Sequence, residues 1–579
     1  MVKEQIKSAL KEAVHALQEE GALPDFKIPE IEVDVPEKEE YGDYSTNLAL
    51  QLKDKVNKSP VEIAKMIRER LEASLVVPFF RKTEAAGPGF INFFLSPEFL
   101  IKNLEQIKEK RGNYGSADLG QGKTVVIDYS APNIAKPFGI GHLRSTIIGQ
   151  AIYNIYSFLG FRAIGDNHLG DWGTQYGKLF YAIQEWGDEE KIKKEPIKEL
   201  YKLYVRFHKE TEDNPGLEEE GRKWFKRLEE GDEEVKKIWK KCVAWSVKEF
   251  DQIYERLGIK MDLTLGESFY QSMLDGVIQE ALQKGVAEKS QGALIISFPE
   301  DKLPPLMIQK SDGATLYSTR DLATIKYRRE KFDPYLIIYE VGVDQRLYFK
   351  QLFWAAELLG WGKREDYVHI AHGMMRLPEG KMSTRKGRTV FLEDVLEEAT
   401  ERAGAIVEEK NPNLSSEKKE KIAEVIGIGA LKYNDLSRHH SKDMVFDWDE
   451  VLNLRGNSGP YLQYTYARAW SVLKKSGEDL EGLELGKTQK LTGQEGKILR
   501  MLLHFPETVQ KAAETFSPNL ICNYLFDLAQ EFNSFYEKTP VLKAKSKGLR
   551  QTRIVLTLGV SQVIKNGLSL LGIEVLERM

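Results

Sequence analysis

The sequence predicts an α/β protein whose parallel β-sheet is preceded by an α+β unit and followed by an all-α helical region. Three consecutive signals predict the sheet. Residues 124–128 carry the β-branched run Val125–Ile127, which is typical of a buried parallel strand. A loop rich in proline and glycine follows, and from Leu143 the apolar residues recur at helical spacing. Strand, loop and helix begin a βαβ unit, which indicates a Rossmann-like core.

Composition limits the class of protein. The chain has 579 residues, 42% of them hydrophobic and 30% charged, with a net charge of −5. No run approaches the ~18 apolar residues that span a membrane, and the N-terminus lacks a signal-peptide core. The two cysteines, Cys242 and Cys522, form no CxxC pair, so neither a disulfide framework nor structural zinc is expected. We therefore expect a cytoplasmic protein that does not enter membranes.

Residues 1–117 are predicted to form the α+β unit. An apolar stripe near the N-terminus predicts a helix, and alternation over Ile31–Val35 predicts a strand. Phe90–Leu95 follows a Gly-Pro-Gly turn and predicts a second strand. Between the two strands, Tyr41–Asn47 is expected to open a helix that continues through Leu52.

The rest of the chain divides by composition and periodicity. A dense Glu/Lys segment predicts a helical insertion within the α/β core, and two later apolar runs predict further strands. We predict three divisions: an α/β core over 118–390, a helical connection over 391–455 and a helical domain over 456–579. Within the core, the insertion is predicted at about 186–260 and the two further strands at 293–298 and 335–339.

The loop after residues 124–128 places the amide of Gly141 and the side chain of His142 at a helix N-terminus, where unpaired N–H groups attract anions. Two familiar phosphate motifs do not fit. Gly122–Thr124 resembles the end of a P-loop but is followed by a strand rather than a helix. Gly139 and Gly141 resemble a dinucleotide fingerprint whose third glycine would be Arg144.

Two short segments resemble the signature motifs of a known family. Pro137–His142 and Lys381–Thr384 resemble the HIGH and KMSKS signatures of class I aminoacyl-tRNA synthetases. Further blocks, in the same order, resemble the arginyl-tRNA synthetases within that class. These blocks are Tyr41–Asn47, Ser130–Pro137, Gly141–Thr146, Asn167–Gln175, Tyr317–Asp321 and Gly456–Tyr464.

The resemblance implies ATP-dependent activation of an amino acid, whose carboxylate attacks the α-phosphate while pyrophosphate leaves. Such a site must supply donors and cations to phosphoryl oxygens. The implied catalytic residues are His142, Lys381, Lys386 and Lys136. The implied ATP-binding residues are Gly139, Gly141, His142, Met382 and Ser383. Gly139 stands where HIGH has its first histidine, so His142 and the lysines must carry more of the charge. Mg²⁺ is expected to arrive with ATP, because no carboxylate cluster suggests a metal site.

Arginine recognition calls for carboxylates that meet a planar guanidinium. The resemblance places arginine at Asp128, Asn133, His168, Tyr317, Asp321 and Gln345. Asp128 ends the first predicted strand, at the edge where α/β proteins bind ligands. Tyr317 and Asp321 are four residues apart and share one face if that segment is helical. The alternative for Asp321 is an ion pair with Arg320 or Arg328.

Two neighbouring features remain open. His168 and Asp171 are expected to contact the substrate's α-amino group, the ribose, or the groups that support them. The alternative for the Trp172 loop is packing against the base of the insertion. Tyr348 stands where the family commonly has histidine.

The partner implied by the resemblance is tRNA(Arg), bound by a monomer. The implied contacts are Tyr44 and Asn47 in the N-terminal unit, and Tyr461, Tyr464 and Arg468 in the helical domain. Exposed aromatic side chains can stack on splayed bases. The alternatives are core packing for the helical-domain aromatics and a purely structural role for the N-terminal residues.

The sequence therefore predicts an arginine–tRNA ligase that forms arginyl-adenylate and transfers arginine to the 2′-hydroxyl of the tRNA's terminal adenosine, with tRNA needed for activation. One rival is a class I ligase for another amino acid, against which Asp128 and Asp321 argue. The other rival is a catalytically inactive relative that binds tRNA or acts as a scaffold, which Gly139 favours.

Overall fold

The computed structural model describes residues 2–73, 79–299, 302–376, 391–453, 456–480, 482 and 491–579. The chain divides into two compact units. The first contains Met1–Gly115, Arg468–Val509 and Tyr524–Asn566, and the second contains Ser116–Ala467, Gln510–Asn523 and Gly567–Met579. Within the described residues, no helix combines the length and the apolar character needed to cross a membrane.

The N-terminal part of the first unit is an α+β structure, as predicted. Its helices are α1 (Val2–Glu19), α2 (Leu48–Gln51), α3 (Pro60–Ala73) and α4 (Pro97–Lys110). Its strands are β1 (Tyr44–Thr46), β2 (Phe80–Ala86) and β3 (Phe90–Leu95), which form an antiparallel sheet in the order β1-β3-β2. The Ser96 hydroxyl caps α4 by accepting from the amide of Phe99 at 3.2 Å.

Two local predictions in this region are wrong. Ile31–Val35 does not form a strand, and Asp34 makes a single antiparallel bridge with Ser45. Pro29 and Pro36 flank this segment and cannot donate to a strand ladder, which limits the pairing. The start of the helix predicted to open at Tyr41–Asn47 is also wrong, because that segment contains β1. The helix itself is present as the short α2, which Asn47 and Leu52 cap, so its predicted end at Leu52 is correct.

The second unit is built on a five-stranded parallel sheet. The strands are β4 (Thr124–Asp128), β5 (Arg162–Asn167), β6 (Leu263–Thr264), β10 (Leu336–Gly342) and β11 (Tyr367–His372), in the order β11-β10-β4-β5-β6. The chain runs from β4 through β5 and β6 to one side, and β10 and β11 lie on the other. The strand order therefore reverses between β4 and β10, and ligands of open α/β sheets bind beyond the carboxyl ends at such a point.

Among the described residues, four helices pack against this sheet: α5 (Ile140–Phe158), α11 (Leu274–Gln283), α12 (Tyr317–Phe332) and α13 (Arg346–Leu358). A further helix, α6 (Thr174–Trp186), packs against helices of the insertion. All five residues of β4 are buried, as the β-branched run predicts. Helix α5 is also largely buried, and the Tyr129 ring occupies the space that a side chain at Gly149 would need. Glycine there allows the helix to approach the sheet closely.

The predicted insertion is helical. It comprises α7 (Glu189–Lys194), α8 (Pro196–Asp213), α9 (Leu217–Glu229) and α10 (Glu233–Leu257). Asp232 caps α10, because its side chain accepts from the amides of Glu234 and Val235. The predicted strand at 293–298 is β8 (Ala293–Ile296), which lies in a separate antiparallel sheet with β7 (Ala287–Ser290) and β9 (Leu306–Gln309).

The chain after residue 391 is almost entirely helical, as predicted. Its first elements are α14 (Leu392–Lys410), α15 (Ser416–Leu436) and α16 (Trp448–Val451). A short parallel pair joins β12 (Met375–Arg376) to β13 (Met444–Val445). The last helices are α17 (Gly459–Ser476), α18 (Gly493–Glu514), α19 (Asn519–Lys538) and α20 (Lys547–Leu570), each with residues in both compact units. The predicted fold class, an α/β core with an N-terminal α+β region and a helical C-terminal region, is confirmed.

Candidate active site

The loop between β4 and α5 is held in an unusual backbone conformation. Ser130, Ala131 and Ala135 all have positive φ angles, of 71°, 44° and 55°. For residues with a Cβ such angles cost free energy and tend to occur at functional sites. Polar contacts hold the loop: the Ser130 amide donates to Ser145 Oγ at 3.0 Å, and the Ala135 amide donates to Ser246 Oγ at 2.7 Å. The loop thus delivers the chain to the N-terminus of α5 in a fixed path.

Gly139 is the N-cap of α5, and Gly141 and His142 lie in its first turn. A glycine cap contributes no side-chain acceptor, which leaves the first amides of α5 available to an anion. Burial, together with the nearby charges of Lys136 and His372, lowers the pKa of His142 to about 4, against the opposing effect of a backbone contact with Gly139. His142 Nδ1 is buried and has no hydrogen-bond partner among the described residues. The imidazole is therefore neutral near pH 7, able to donate a hydrogen bond but not to supply charge.

Asp128 does not stand open to a ligand. Arg328, which is 0% exposed, donates from Nη2 to Asp128 Oδ2 at 2.6 Å and to Asp166 Oδ2 at 2.8 Å. The guanidinium carbon of Arg328 also lies 5.3 Å from the ring centroid of Tyr339. An internal arginine thus pairs with the carboxylates at the ends of both β4 and β5.

A second carboxylate, Asp321, lies beside the rings of Tyr348 and His168. Tyr348 donates its hydroxyl to Asp321 Oδ2, and the ring of Tyr317 lies 5.0 Å from that of Tyr348. His168 Nε2 is 3.9 Å from Asp321 Oδ1. Neither anticipated arginine pair forms among the described residues, since Arg320 instead lies 3.8 Å from Glu267.

Burial sets the protonation of this cluster. It raises the pKa of Asp321, while the nearby His168 and the hydrogen bond from Tyr348 oppose that rise. Burial lowers the pKa of His168, so its imidazole is neutral, and both ring nitrogens lack hydrogen-bond partners among the described residues. The pocket therefore presents one carboxylate with hydroxyl and imidazole groups around it, which suits a planar cation.

Asn133 and Lys136 are joined through one glutamine. Gln175 Oε1 accepts from Lys136 Nζ at 2.9 Å, and Gln175 Nε2 donates to Asn133 Oδ1 at 3.3 Å. Lys136 Nζ also lies 5.0 Å from the ring centroid of Tyr204. Gln345 ends the one-turn 3-10 helix after β10, and its side chain is exposed.

Asp171 and Trp172 have structural contacts. Asp171 accepts from the amide of Ser268 at 2.8 Å and from its hydroxyl at 2.6 Å. Trp172 packs against Phe225 and Trp239, with ring centroids 5.6 and 6.1 Å apart. The packing alternative therefore describes this loop, which fastens the insertion to the core.

Sequence reasoning did not single out three ionisable groups at this edge of the sheet. Glu340, in β10, accepts a hydrogen bond from His372 Nδ1 at its Oε1, 2.9 Å away, and this contact raises the pKa of His372 against the effect of burial. Burial raises the pKa of Glu267 to about 7. Of these three groups, only His372 could have been singled out from the sequence, because it directly precedes Gly373 at the end of a strand. Lys381, Met382, Ser383 and Lys386 lie outside the described residues.

The residues expected to meet RNA differ in exposure. Tyr44 is 0% exposed, and its hydroxyl donates to Glu507 Oε1 at 2.8 Å, so it cannot stack on a base in this structure. Asn47 is half-buried and donates to Glu32 Oε2 at 3.3 Å. In the second unit, Tyr461 is half-buried and Tyr464 is 45% exposed.

Arg468, in the first unit, is held by its neighbours. Its Nη1 donates to Asn533 Oδ1 at 2.6 Å, and its guanidinium lies 5.2 Å from the ring centroid of Tyr536. The aromatic surface beside it is partly exposed, since Tyr536 is 40% exposed.

Comparison with known proteins shows to which class of protein this chain belongs. Residues 103–448 match the family model described as the class I (R) tRNA synthetase catalytic domain. Residues 1–95 match the arginyl tRNA synthetase N-terminal domain, and residues 462–579 match the DALR anticodon binding domain. The parallel sheet and the catalytic-domain match together define a class I aminoacyl-tRNA synthetase.

Similarity to individual relatives identifies the family within this class. The chain is 44% identical over 561 residues to the arginine–tRNA ligase of Halothermothrix orenii, covering 96% of this chain and 97% of that one. It is 43% identical over 548 residues to that of Clostridium botulinum strain 657, covering 94% and 96%. The chain belongs to the arginyl-tRNA synthetase family.

Solved structures agree with this assignment. The arginyl-tRNA synthetase of Plasmodium falciparum matches with a TM-score of 0.83 and 26% identity, covering 100% of this chain and 99% of that one. The arginyl-tRNA synthetase of Thermus thermophilus matches with a TM-score of 0.82 and 26% identity, covering 100% of both chains.

Proposed function

We propose that the chain is an arginine–tRNA ligase that activates L-arginine with ATP and transfers it to the terminal adenosine of tRNA(Arg). In the first step, an oxygen of the arginine carboxylate bonds to the α-phosphorus, the bond to the β-phosphate oxygen breaks, and pyrophosphate leaves. In the second step, the 2′-hydroxyl of the terminal ribose attacks the carbonyl carbon, loses its proton, and AMP leaves. The observation that carries this proposal is the Asp321 pocket at the carboxyl edge of the sheet, in the same unit as the N-terminus of α5.

In this proposal Asp321 accepts the guanidinium of the substrate. Tyr348 fixes one oxygen of Asp321 by its hydroxyl, and Tyr317 supplies an exposed ring against which the planar cation can stack. His168 and Gln345 complete the pocket as neutral groups. A carboxylate with a preset orientation binds a guanidinium more tightly than a free one, because less rotational freedom is lost on binding.

Asp128 acts in a different way from that implied by family resemblance. Its carboxylate already pairs with Arg328, so we propose that it supports the floor of the pocket through that ion pair. Asn133 faces Gln175 and Tyr176, which places it in a polar chain that also holds Lys136. Asn133 therefore contributes to substrate binding by fixing the loop between β4 and α5.

For ATP, the first turn of α5 is the proposed anion site. Gly139 and Gly141 allow the nucleotide to approach the backbone, and the neutral His142 donates a hydrogen bond to a phosphoryl oxygen in the transition state. Charge must come from other groups, and Lys136, whose charge acts on His142, is one of them. The proposed roles of Lys381 and Lys386 as cations, and of Met382 and Ser383 in nucleotide binding, concern the KMSTRKG segment. Mg²⁺ is proposed to bind with ATP and to neutralise its phosphates.

For tRNA, Tyr464 has the exposure that base stacking requires, and Tyr461 and Arg468 are proposed as further tRNA contacts. Asn47 is proposed as an N-terminal contact, whereas Tyr44 is assigned a structural role by its burial. The proposed organisation has an N-terminal tRNA-binding module over 1–117, a catalytic domain over 118–390, a connection over 391–455 and an anticodon-binding domain over 456–579.

We propose that the protein acts in the cytoplasm as a monomer. Both cysteines are buried free thiols, which is consistent with a reducing compartment. Sedimentation of the purified chain alone and with tRNA checks the monomer, since a second species of twice the mass without tRNA would contradict it.

ATP–pyrophosphate exchange tests the proposed function. The purified chain is assayed with arginine and with each other amino acid, in the presence and absence of tRNA(Arg). Exchange is expected with arginine and tRNA together. Exchange with another amino acid instead would support a class I ligase of different specificity. The absence of all exchange, with tRNA still bound, would support the inactive tRNA-binding protein.

A further inference from the structure

Arg144 is a charged residue in an unusual place. It lies on α5, two residues after His142, and it is 0% exposed. Its Nη1 donates to the carbonyl oxygens of Gly373 at 3.0 Å and Lys442 at 2.7 Å. Its Nε lies 3.2 Å from Oδ1 of Asp435, which is 1% exposed. One guanidinium thus joins three segments of the second unit that are far apart in sequence.

The segment that Arg144 holds at Gly373 is fixed along its length. The Gly373 amide donates to His440 O at 2.9 Å, and the Met374 amide donates to Asp443 Oδ1 at 2.8 Å. β12 continues this contact by pairing in parallel with β13. Residues 373–376 therefore lie against residues 440–445, and the KMSTRKG sequence comes after residue 376 in the order of the chain.

The approach at Gly373 is tight. A Cβ added there would meet the carbonyl oxygen of Lys442 at 2.5 Å and the amide nitrogen of Asp443 at 2.7 Å, and backbone atoms cannot move aside as a side chain can. Both carbonyls that accept from Arg144 therefore belong to one closely packed junction.

The hydrogen bonding of the buried ion pair between Arg144 and Asp435 is incomplete. Arg144 Nη2 and both carboxylate oxygens of Asp435 are buried without hydrogen-bond partners among the described residues. Buried ion pairs with incomplete hydrogen bonding rarely stabilise a protein more than a well-packed apolar pair would. Glu340 and His372 lie nearby and interact electrostatically with this pair.

We propose that Arg144 is a positioning residue for the activation step: it sets residues 373–376 relative to the turn of α5 that carries Gly141 and His142. The inference rests on the proposed function, because the group it positions is the nucleotide site of that reaction. Arg144 acts through the two carbonyls and does not contact substrate. Its loss should therefore affect ATP more than arginine, whose proposed pocket is formed by α12 and α13.

The test replaces the ion pair by an apolar pair. In R144M/D435L no buried charge is left unpaired, so the fold is expected to be retained, whereas methionine cannot donate to the two carbonyls. In exchange assays with tRNA, the KM for ATP should rise at least about tenfold or kcat should fall at least about tenfold, with the KM for arginine within about twofold of wild type. Thermal unfolding of the variant is measured in parallel.

A matched control is another buried pair, Arg553 with Glu495, at 2.8 Å in the first unit. R553M/E495L removes the same chemistry from a unit that does not contain Arg144 and should change thermal stability without changing the KM for ATP. If R144M/D435L does not fold, R144K is tested in its place. The lysine keeps the charge but has one donor group for three acceptors, so the KM for ATP should still rise, or kcat fall, severalfold.

Wild-type ATP parameters in R144M/D435L, or in R144K if the double variant does not fold, would overturn the proposal. An equal rise in the KM values for ATP and arginine would also overturn it, because that pattern indicates a disturbance of the whole active site rather than of the nucleotide site. Lack of exchange by the wild-type chain would instead contradict the proposed function, so the two failures are distinguishable.

Discussion

Replacing Asp321 by asparagine tests the arginine pocket with the least change in shape. The side chain keeps its size and can still accept from the Tyr348 hydroxyl, but it loses its charge. A charge pair about 4 Å apart is worth about 4 kcal/mol at an effective dielectric of about 20. Hydrogen bonds to charged groups contribute about 1.5–3 kcal/mol net. A loss of about 2–3 kcal/mol lowers kcat/KM for arginine about 30- to 150-fold.

The assay is steady-state ATP–pyrophosphate exchange with tRNA, in which arginine and ATP are varied separately. Tyr348→Phe is the matched control, because it removes one neutral donor and leaves the Asp321 charge in place. Its expected cost is about 0.5–1.5 kcal/mol, or roughly 2- to 10-fold, in kcat/KM for arginine. A larger effect for Tyr348→Phe than for Asp321→Asn would refute the reasoning, as would equal changes in the ATP and arginine parameters for Asp321→Asn.

The pH dependence of kcat/KM for arginine is a second test of the same pocket. Because burial raises the pKa of Asp321, its carboxylate takes up a proton at a higher pH than an exposed aspartate does. Only the ionised form attracts a guanidinium, so kcat/KM for arginine should fall as the pH is lowered. Asp321→Asn should lose the part of this decline that comes from Asp321, and an unaltered acid limb in that variant would assign it to another group.

Three other variants probe separate parts of the structure. Arg328→Met should lower the free energy of unfolding by about 3–5 kcal/mol, since it leaves two buried carboxylates unpaired, and an unchanged thermal midpoint would contradict this. His142→Ala should lower kcat of exchange about 100-fold with little change in the KM for arginine, and an unchanged kcat would remove His142 from phosphate stabilisation. Tyr464→Ala should raise the KM for tRNA at constant thermal stability, whereas Tyr44→Phe should lower stability with little effect on that KM. The reverse pattern would exchange the roles given to these two tyrosines.

The predictions that succeed depend on local signals. The β-branched run predicts β4, and the proline- and glycine-rich loop followed by helical spacing predicts the start of α5 within a few residues. The spacing of Tyr317 and Asp321 predicts a shared helix face, and in the structure both contact Tyr348. Each of these features is decided within a few residues, where backbone preference and periodicity act.

The features that sequence did not predict depend on partners far along the chain. In the sequence, Asp128 stands at a strand end like a side chain that is free to bind a ligand, but in the structure Arg328, from α12, donates to it. Tyr44 resembles a surface tyrosine, but its hydroxyl meets Glu507 in α18. Arg144 in the sequence breaks a dinucleotide motif, but in the structure it meets Gly373, Lys442 and Asp435. No local pattern encodes which distant residue will pair with a buried charge, so such roles emerge only from the fold.

The most direct test of the account is the rate at which tRNA(Arg) is charged with arginine compared with citrulline. Citrulline has nearly the same shape, with a neutral urea in place of the guanidinium, so the comparison isolates the charge that Asp321 is proposed to recognise. A site built around such a contact should favour arginine by a factor on the order of 10⁴. Similar rates for the two amino acids, or no charging with arginine, would contradict the central claim.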